Sequence, residues 1–232
     1  MSDQPNPAHP TARVLASQQT YYNERADDYG DPSKPDRRRG GMMDAELSRA
    51  LIDELRPAGD VLELACGTGF FTADLARHAQ SVTAVDASPR MLAINERRVG
   101  NPRVKYVNAD IFAWQPDRAY DLVFFGAWIS HVPPAAFDDF WALVRTCLAP
   151  TGRVAFVDED DRAAGLDDRY SLNGVPAARR TLSDGRQFEI VKVFWHPEDL
   201  EHHLRSSGWD ITIKRVGETE MYGVGRYDAR DE

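Results

Sequence analysis

A glycine-rich turn directly after a short apolar run is the stretch of this sequence whose residue types could hold a ligand. The run Val61–Leu64 has the length and composition of a buried strand, and Gly67 and Gly69 follow it. Glycine lets the backbone bend sharply and lets a ligand approach it closely. The helix expected from Thr72 onward would point backbone N–H groups at that ligand. The spacing therefore predicts a strand, a loop and a helix with a ligand site at the strand's end.

The residues beside this loop indicate which class of ligand it could bind. A dinucleotide-binding loop would place a third glycine at position 72, where this chain has Thr72. The Glu63 carboxylate, two residues before the loop, would repel a pyrophosphate but attract a ligand with ammonium and sulfonium groups. The pattern Glu63-x-Ala65-x-Gly67-x-Gly69 resembles the first motif of class I S-adenosylmethionine (SAM) dependent methyltransferases. Any other Rossmann-like nucleotide domain is the alternative that the loop alone leaves open.

Two further carboxylates fall at the ends of the second and third predicted strands. Asp86 is placed to accept hydrogen bonds from both ribose hydroxyls of a nucleoside, and Met91, one helical turn later, would lie flat against its adenine. Asp110 can accept the adenine amino proton, with Ala109 and Ile111 flanking the ring. This agrees with the place where methyltransferases hold adenine. Carboxylates at consecutive strand ends therefore predict one common cofactor site.

The fourth predicted strand, 120–125, ends where the methionine part of SAM should lie. We expect Phe125 and Gly126 to face it, and in the resembling family an N-terminal helical segment covers the cofactor there. Tyr21 and Tyr29 are the best candidates for that cover. The complete predicted cofactor-binding set is Tyr21, Glu63, Ala65, Gly67, Gly69, Asp86, Ala87, Met91, Ala109, Asp110, Ile111, Phe125 and Gly126.

The acceptor of the methyl group would lie beyond the fourth strand. Transfer from a sulfonium is an in-line displacement, so the protein must align the acceptor and, for a hydroxyl or amine, remove a proton. His131 follows this strand and could be that base, or could donate to an anionic oxygen. Trp128 is either a pocket wall or part of the core. An anionic acceptor oxygen would need only positioning and partial charge neutralisation.

A β-hairpin near residues 179–194 adds positive charge. A two-residue turn at Asp184–Gly185 is predicted to join its strands. Strict alternation then places Arg179 on the same face as Lys192, and Arg180 on the other face, opposite Glu189. A lysine within an apolar strand either protects a sheet edge or meets a ligand. An arginine, a lysine and a histidine near a methyl donor would suit an oxyacid with two or three oxygens.

This hairpin carries a second, finer resemblance. The matching residues are Arg180, Leu182, Asp184, Gly185, Arg186, Phe188, Ile190, Val191, Lys192, Val193, Phe194, His196, Pro197, Asp199 and Leu200. They look like a branch of small bacterial methyltransferases that includes phosphonate O-methyltransferases of natural-product (antibiotic) biosynthesis. The resemblance implies that His131, Arg180, Lys192 and Tyr29 hold the phosphonate. Alternation favours Arg179 instead of Arg180, so both arginines remain candidates.

The alternation of strands and helices predicts an α/β fold. We expect a Rossmann-like, doubly wound sheet, mostly parallel, with the seven strands and reversed last strand of the class I methyltransferases. Residues 1–12 are expected to be disordered, and 13–232 to form a single domain. Within it, 13–42 would be a lid with Arg37–Arg39 and a hinge at Gly40–Gly41, and 159–195 an insertion with the β-hairpin.

Composition excludes several classes of protein. Among 232 residues, 37 Asp and Glu outnumber 28 Lys and Arg, and a net charge of −9 disfavours nucleic acid and anionic membrane surfaces. Cys66 and Cys147 are too few for a disulfide framework or a zinc site, and we predict no metal. No apolar run reaches membrane-spanning length and no signal-peptide core is present. We therefore expect a cytoplasmic protein, monomeric or homodimeric, with a small anionic substrate.

Together these patterns predict a SAM-dependent methyltransferase that leaves S-adenosyl-L-homocysteine (SAH) as its product. The preferred acceptor is an anionic oxygen of a small molecule, best a phosphonate, which makes the enzyme an O-methyltransferase. One alternative is a hydroxyl or amine methyltransferase with His131 as general base. Alternatives of other classes are a nucleotide-binding oxidoreductase and a non-catalytic SAM-binding interaction protein.

Overall fold

The computed structural model describes residues 10–29 and 44–228. The predicted Arg37–Arg39 segment and the Gly40–Gly41 hinge lie outside these residues. The helices are α1 (Pro10–Arg25), α2 (Ala45–Leu55), α3 (Thr72–His78), α4 (Pro89–Val99), α5 (Phe137–Cys147) and α6 (Pro197–Ser206). The strands are β1 (Asp60–Leu64), β2 (Ser81–Asp86), β3 (Val104–Asn108), β4 (Tyr120–Gly126), β5 (Leu148–Glu159), β6 (Arg169–Leu172), β7 (Val175–Thr181), β8 (Gln187–Val191), β9 (Trp209–Val216) and β10 (Glu220–Tyr227).

Seven strands form one sheet in the order β3-β2-β1-β4-β5-β10-β9. The pairs among β1 to β5 are parallel, and β10 is antiparallel to both of its neighbours. The predicted doubly wound sheet with a reversed last strand is therefore confirmed. The reversed strand lies inside the sheet, however, and β9 forms the edge. Because parallel strands have their carboxyl ends at one edge, the ends of β1, β2, β4 and β5 meet there.

Helices bury both faces of this sheet. One core cluster joins α5 and α6 to the sheet, and a second joins α2 and α3 to the other face. The inner strands are buried on both faces, which explains why β1 and β4 consist of near-continuous apolar runs. Ser88 caps the start of α4, because its hydroxyl accepts a hydrogen bond from the Met91 N–H at 3.1 Å.

A second, smaller sheet of three antiparallel strands, β6-β7-β8, replaces the predicted two-stranded hairpin. Helix α1 packs on β7 and β8, and Tyr21 lies in the core between them together with Ile190. This helix begins at Pro10, so it includes residues 10–12, which had been expected to be disordered. Within the segment 159–195 that was expected to be an insertion, Glu159 still belongs to β5 and a 3-10 helix covers Asp161–Leu166.

The turn between β7 and β8 is one residue longer than predicted. The Leu182 N–H donates to the Arg186 carbonyl at 2.9 Å, which leaves a three-residue loop with Gly185 at a φ of +88°. Asp184 stabilises this loop by accepting from the Arg186 N–H at 3.0 Å. A shift of one residue moves each side chain to the other face. Arg180 is therefore opposite Phe188 rather than Glu189.

Gln18 connects α1 to both sheets. Its Oε1 atom accepts a hydrogen bond from the Val191 N–H at 3.0 Å, and its Nε2 atom donates to the His131 carbonyl at 3.3 Å. The side chain is buried, so both hydrogen bonds are made away from water. Gln18 thereby fixes the distance between α1, β8 and the turn that follows β4.

We predict that Gln18→Ala destabilises the protein by about 1–3 kcal/mol, because it leaves a buried N–H and a buried carbonyl without their partner. The free energy of unfolding in urea measures this effect. Gln115→Ala, at an exposed position, is the matched control and should change it by less than about 0.5 kcal/mol. Equal stability of the two variants would contradict the bridging role of Gln18.

Candidate active site

A cavity of about 180 Å³ lies at the carboxyl ends of β1, β2, β4 and β5, between the seven-stranded sheet and α1. This edge of a parallel sheet is where α/β proteins bind ligands. The residues that line it are Leu15, Gln18, Gln19, Tyr22, Tyr29, Ala65, Gly67, Asp86, Ala87, Ser88, Met91, Asp110, Ile111, Phe112, Gly126, Ala127, Trp128, His131, Val157, Asp158, Glu159, Lys192 and Glu220. Eight of the thirteen predicted cofactor positions lie in this lining: Ala65, Gly67, Asp86, Ala87, Met91, Asp110, Ile111 and Gly126.

Asp86 is held in place by the backbone around it. Its Oδ2 atom accepts from the Gly67 N–H at 2.9 Å, and its Oδ1 atom accepts from the Ser88 N–H at 2.8 Å. Each carboxylate oxygen has a second lone pair that can accept from a ligand hydroxyl. Burial raises the pKa of Asp86, while these two hydrogen bonds oppose the rise.

Asp110 is held in a similar way at the next strand end. Its Oδ1 atom accepts from the Phe112 N–H, and its Oδ2 atom accepts from Gln19 Nε2, both at 3.0 Å. The buried side chains of Met91 and Ile111 provide apolar walls close by. Two fixed carboxylates with apolar walls form a surface that fits the ribose and adenine of a nucleoside.

Two glycines keep the cavity open next to these carboxylates. Gly67 has a φ of +50°, which favours glycine, and a Cβ atom added there would meet no atom within 4 Å. This position therefore borders open space, as a ligand-facing loop requires. A Cβ atom at Gly126 would lie 2.1 Å from the Phe71 ring, so close packing requires glycine there.

Glu63 points away from the cavity and into the protein. Its side chain is only 1% exposed and accepts a hydrogen bond from the Thr72 hydroxyl at 2.6 Å. Thr72 also accepts from Asn95 Nδ2 at 2.9 Å, and Asn95 donates to the Gly67 carbonyl at 3.3 Å. Burial raises the pKa of Glu63 to about 8. Glu63 is therefore connected to the glycine-rich loop through the hydrogen bonds of Thr72 and Asn95. The sequence had predicted contact between Glu63 and the ligand instead.

Four other predicted cofactor residues lie outside the cavity lining, each for a packing reason. A Cβ atom at Gly69 would lie 2.5 Å from Asn95 Oδ1, so this glycine permits close contact with α4. Phe125 is fully buried and stacks on Phe156. Ala109 packs against the core on the α5 side, and Tyr21 packs on the small sheet. Tyr22, the next residue after Tyr21, faces the cavity instead.

His131 lies at the other end of the cavity, beyond β4. Its Nδ1 atom is 2.9 Å from the Val191 carbonyl, and because a carbonyl only accepts, Nδ1 carries a proton. The Nε2 atom lies 2.8 Å from the Tyr22 hydroxyl and accepts from it when the ring is neutral. Tyr29 also lines the cavity here, with its ring 6.4 Å from that of Tyr22. The predicted residues His131 and Tyr29 are therefore close together.

Lys192 lies in the same end of the cavity and is only 2% exposed. Its Nζ atom forms an ion pair with Glu159, donates to Ser130 Oγ at 3.1 Å and lies 4.9 Å above the centre of the Phe194 ring. Asp158, also buried, accepts from the Ser130 N–H at 3.2 Å. Burial raises the pKa of Asp158, and the positive charge of Lys192 opposes the rise.

Neither candidate arginine reaches the cavity. Arg180 is on the buried face of β7, but its guanidinium forms an ion pair with Asp167 at 2.8 Å. Arg179 is exposed and lies 5.6 Å from the centre of the Tyr170 ring. The longer turn places Arg180, and not Arg179, on the strand face of Lys192, but Arg180 pairs with Asp167 and neither arginine lines the cavity.

The sequence reasoning missed several residues of the lining. Gln18, Gln19 and Tyr22 come from α1. The sequence did not show which face of α1 points into the cavity, so it could not show which of its side chains line it. Asp158 and Glu159 are the last two residues of β5, and neither was among the predicted site residues. Their position at the end of a fifth parallel strand is the signal that could have found them.

Comparison with known proteins identifies the family. A family model described as a methyltransferase domain matches residues 61–152. The trans-aconitate 2-methyltransferase of Escherichia coli O157:H7 is 41% identical over 181 residues, covering 68% of this chain and 70% of that protein. The protein in the DhpI–SAH complex is 39% identical to this chain in sequence, and the two structures align with a TM-score of 0.79. The alignment covers 94% of this chain and 98% of the DhpI chain. The protein in the DhpI–SAM–HEP complex is 38% identical, with a TM-score of 0.77, and the alignment covers 92% of this chain and 97% of that one.

The fold, the cavity and these relatives define a class I methyltransferase domain. The chain belongs to the SAM-dependent methyltransferases, and SAM is its cofactor. Residues 10–29 and 44–228 contain no helix long and apolar enough to cross a membrane. In the same ranges, no group of three or more His, Cys, Asp and Glu side chains is arranged to hold a metal ion.

Because its pKa in the folded protein is raised, Glu63 stabilises the fold when protonated, and this contribution is lost as the pH rises towards about 8. We predict that the wild-type protein loses about 2 kcal/mol of unfolding free energy from this group between about pH 6 and about pH 8. Glu63→Gln, which resembles the protonated acid, should lack this loss. Urea unfolding at both pH values measures it, and parallel pH dependences of the two proteins would contradict it.

Proposed function

We propose that this enzyme transfers the methyl group of SAM to an anionic oxygen of a small oxyacid, best a phosphonate. The observation that carries the proposal is the buried Lys192 beside His131 at one end of the cavity, opposite the carboxylates of Asp86 and Asp110. The cofactor's nucleoside would then lie at the carboxylate end, and the acceptor would lie at the lysine end.

Electrostatics supports this division of the cavity. The carboxylate of Asp86 can accept from ribose hydroxyls, and that of Asp110 from the adenine amino group. At the other end, Lys192 offers a positive charge with little access to water, where a charge-assisted hydrogen bond is strong. Hydroxyl groups of Tyr22 and Tyr29 add neutral polar contacts to the same end. An oxyacid has enough oxygens to use several of these groups together.

The chemistry demands little more than alignment. Bound SAM supplies a methyl group that is activated by its positive sulfur. An anionic oxygen is already a nucleophile, so the protein has to hold it in line and needs no base for it. In this proposal Lys192 holds the acceptor oxyanion, while His131 and its partner Tyr22 limit where the acceptor can lie.

Known relatives agree with an oxyacid acceptor. The relative from Escherichia coli is named for trans-aconitate, which is a carboxylic acid, and a DhpI complex was solved with both SAM and HEP. The resemblance of the segment around Lys192 to phosphonate O-methyltransferases favours the phosphonate among the oxyacids. Cytoplasmic location and a role in natural-product biosynthesis are parts of the same proposal.

A neutral hydroxyl acceptor is the second candidate, and the geometry of His131 favours it. With Nδ1 bound to the Val191 carbonyl, Nε2 faces the hydroxyl of Tyr22 in the cavity lining, and in the neutral ring it can accept from a hydroxyl as a general base would. An acceptor hydroxyl could take the place of Tyr22. The two candidates differ in their pH dependence, because only the second requires an unprotonated histidine during catalysis.

An acceptor panel tests the proposal. We predict methyl transfer from labelled SAM to small phosphonates and more slowly to carboxylates, and none to phenols or amines. Lys192→Met should raise the KM for the phosphonate about 10–100-fold, the effect of losing one charge-assisted hydrogen bond. Lys214→Met is the matched control, because Lys214 pairs with Glu54 at the exposed surface.

Turnover on phenols or amines alone would overturn the oxyacid proposal. A rate that falls at acid pH in the wild-type enzyme, and loses this dependence in His131→Gln, would identify the histidine as a base. His203→Gln, at a more exposed histidine on α6, is the control for that measurement. SAM binding without turnover of any acceptor would support a non-catalytic protein.

Asp86→Asn tests the cofactor end separately. It removes a charge and one acceptor oxygen from the proposed ribose contact, so we predict about tenfold weaker SAM binding by calorimetry. Asp210→Asn, at an exposed position on β9, should bind SAM like the wild-type protein. Unchanged affinity in Asp86→Asn would contradict the proposed ribose site.

A further inference from the structure

The partners of Lys192 leave little room for an acceptor. An ammonium group has three N–H donors. Glu159 and Ser130 accept from Lys192, and the Phe194 ring faces the same ammonium. Two of the three N–H donors are therefore engaged, and an acceptor that takes more than one hydrogen bond from Lys192 must displace Glu159 or Ser130.

Glu159 is the partner that can give way. Ser130 is buried in the short helical turn after β4, where its own N–H is held by Asp158. The Glu159 side chain is 22% exposed, against 2% for Lys192, and it lines the cavity. A partly exposed carboxylate can turn towards water at low cost, whereas a fully buried group cannot.

We propose that the Glu159 carboxylate occupies the binding position of the acceptor's anionic oxygen, so that Glu159 is an internal competitor for Lys192. This inference rests on the proposed oxyacid acceptor. A carboxylate oxygen and a phosphonate oxygen make the same charge-assisted hydrogen bond to an ammonium group. On binding, the acceptor oxygen replaces Glu159 at Nζ, and the Glu159 carboxylate turns to solvent.

The ion pair has a clear benefit for the protein without its substrate. A buried ammonium with no partner is costly, so Lys192 needs a counter-charge whenever the acceptor is absent. Glu159, at the end of β5, provides this counter-charge, and the carboxylate of Asp158 lies close by. Because Glu159 is part of the same chain, its effective concentration is high, and the acceptor must compete with it. The pair therefore lowers the affinity for every oxyanion.

The direction in which KM changes in a Glu159 variant tests the role of Glu159 as a competitor. We predict that Glu159→Gln lowers the KM for a small phosphonate such as ethylphosphonate about tenfold, with little change in kcat, because the competing charge is gone. If Glu159 instead held the acceptor or acted as a base, the same variant would raise KM or lower kcat. Glu54→Gln, whose carboxylate pairs with Lys214 at 3.6 Å on the exposed surface, is the matched control.

A measurement without turnover uses inorganic phosphate as the probe. We expect Glu159→Gln to melt at a lower temperature than the wild-type protein, and phosphate to raise its melting temperature by more than it raises that of the wild type. In the double variant Glu159→Gln with Lys192→Met, phosphate should lose this effect, because the ammonium is absent. The comparison remains informative even if the single variant is destabilised.

The outcomes separate the two proposals. If wild-type enzyme methylates phosphonates but Glu159→Gln has an unchanged or higher KM, the competitor role is wrong and the proposed function stands. If neither protein methylates phosphonates or carboxylates, the proposed function fails and the competitor role fails with it. A phosphate effect that persists in the double variant would also overturn the competitor role.

Discussion

The constraint that governs this site is the burial of carboxyl groups at one edge of a parallel sheet. Glu63, Asp86 and Asp158 lie at or next to the carboxyl ends of different strands of that sheet, and burial raises the pKa of each. Each carboxyl group is held by a different donor, and only Asp86 and Asp158 line the cavity. A cavity built in this way is selective for a ligand that brings positive charge and hydrogen-bond donors, as SAM does.

Helix α1 and the small sheet complete the site. The parallel sheet supplies the carboxylates, but Lys192 comes from the end of β8, and Gln18 ties that strand to α1 and to the turn after β4. The positive end of the cavity therefore depends on parts of the chain that the large sheet does not contain. Because different elements build the two ends, changes in the sequence of α1 and the small sheet can alter the acceptor end and leave the cofactor end unchanged.

The sequence was sufficient for what depends on local order along the chain. The strand before Gly67 and the carboxylates Asp86 and Asp110 at strand ends were predicted because strand ends and glycine turns are local signals, whereas the reversed last strand was expected from the resemblance to class I methyltransferases. The direction of the Glu63 side chain was not predicted, because Thr72 and Asn95 meet it only in the folded protein. Strict alternation wrongly placed Arg179 rather than Arg180 on the face of Lys192, because one extra residue in the turn at Gly185 changed the strand register.

The central claim is that cofactor and acceptor share one cavity, with Asp86 and Asp110 at one end and Lys192, paired with Glu159, at the other. A crystal structure of the protein with SAH and inorganic phosphate tests it most directly. We expect the ribose hydroxyls on Asp86, the adenine amino group on Asp110, and a phosphate oxygen on Lys192 Nζ in the place now taken by Glu159. Adenine bound away from Asp110, or phosphate bound away from Lys192 while Glu159 keeps its place, would contradict it.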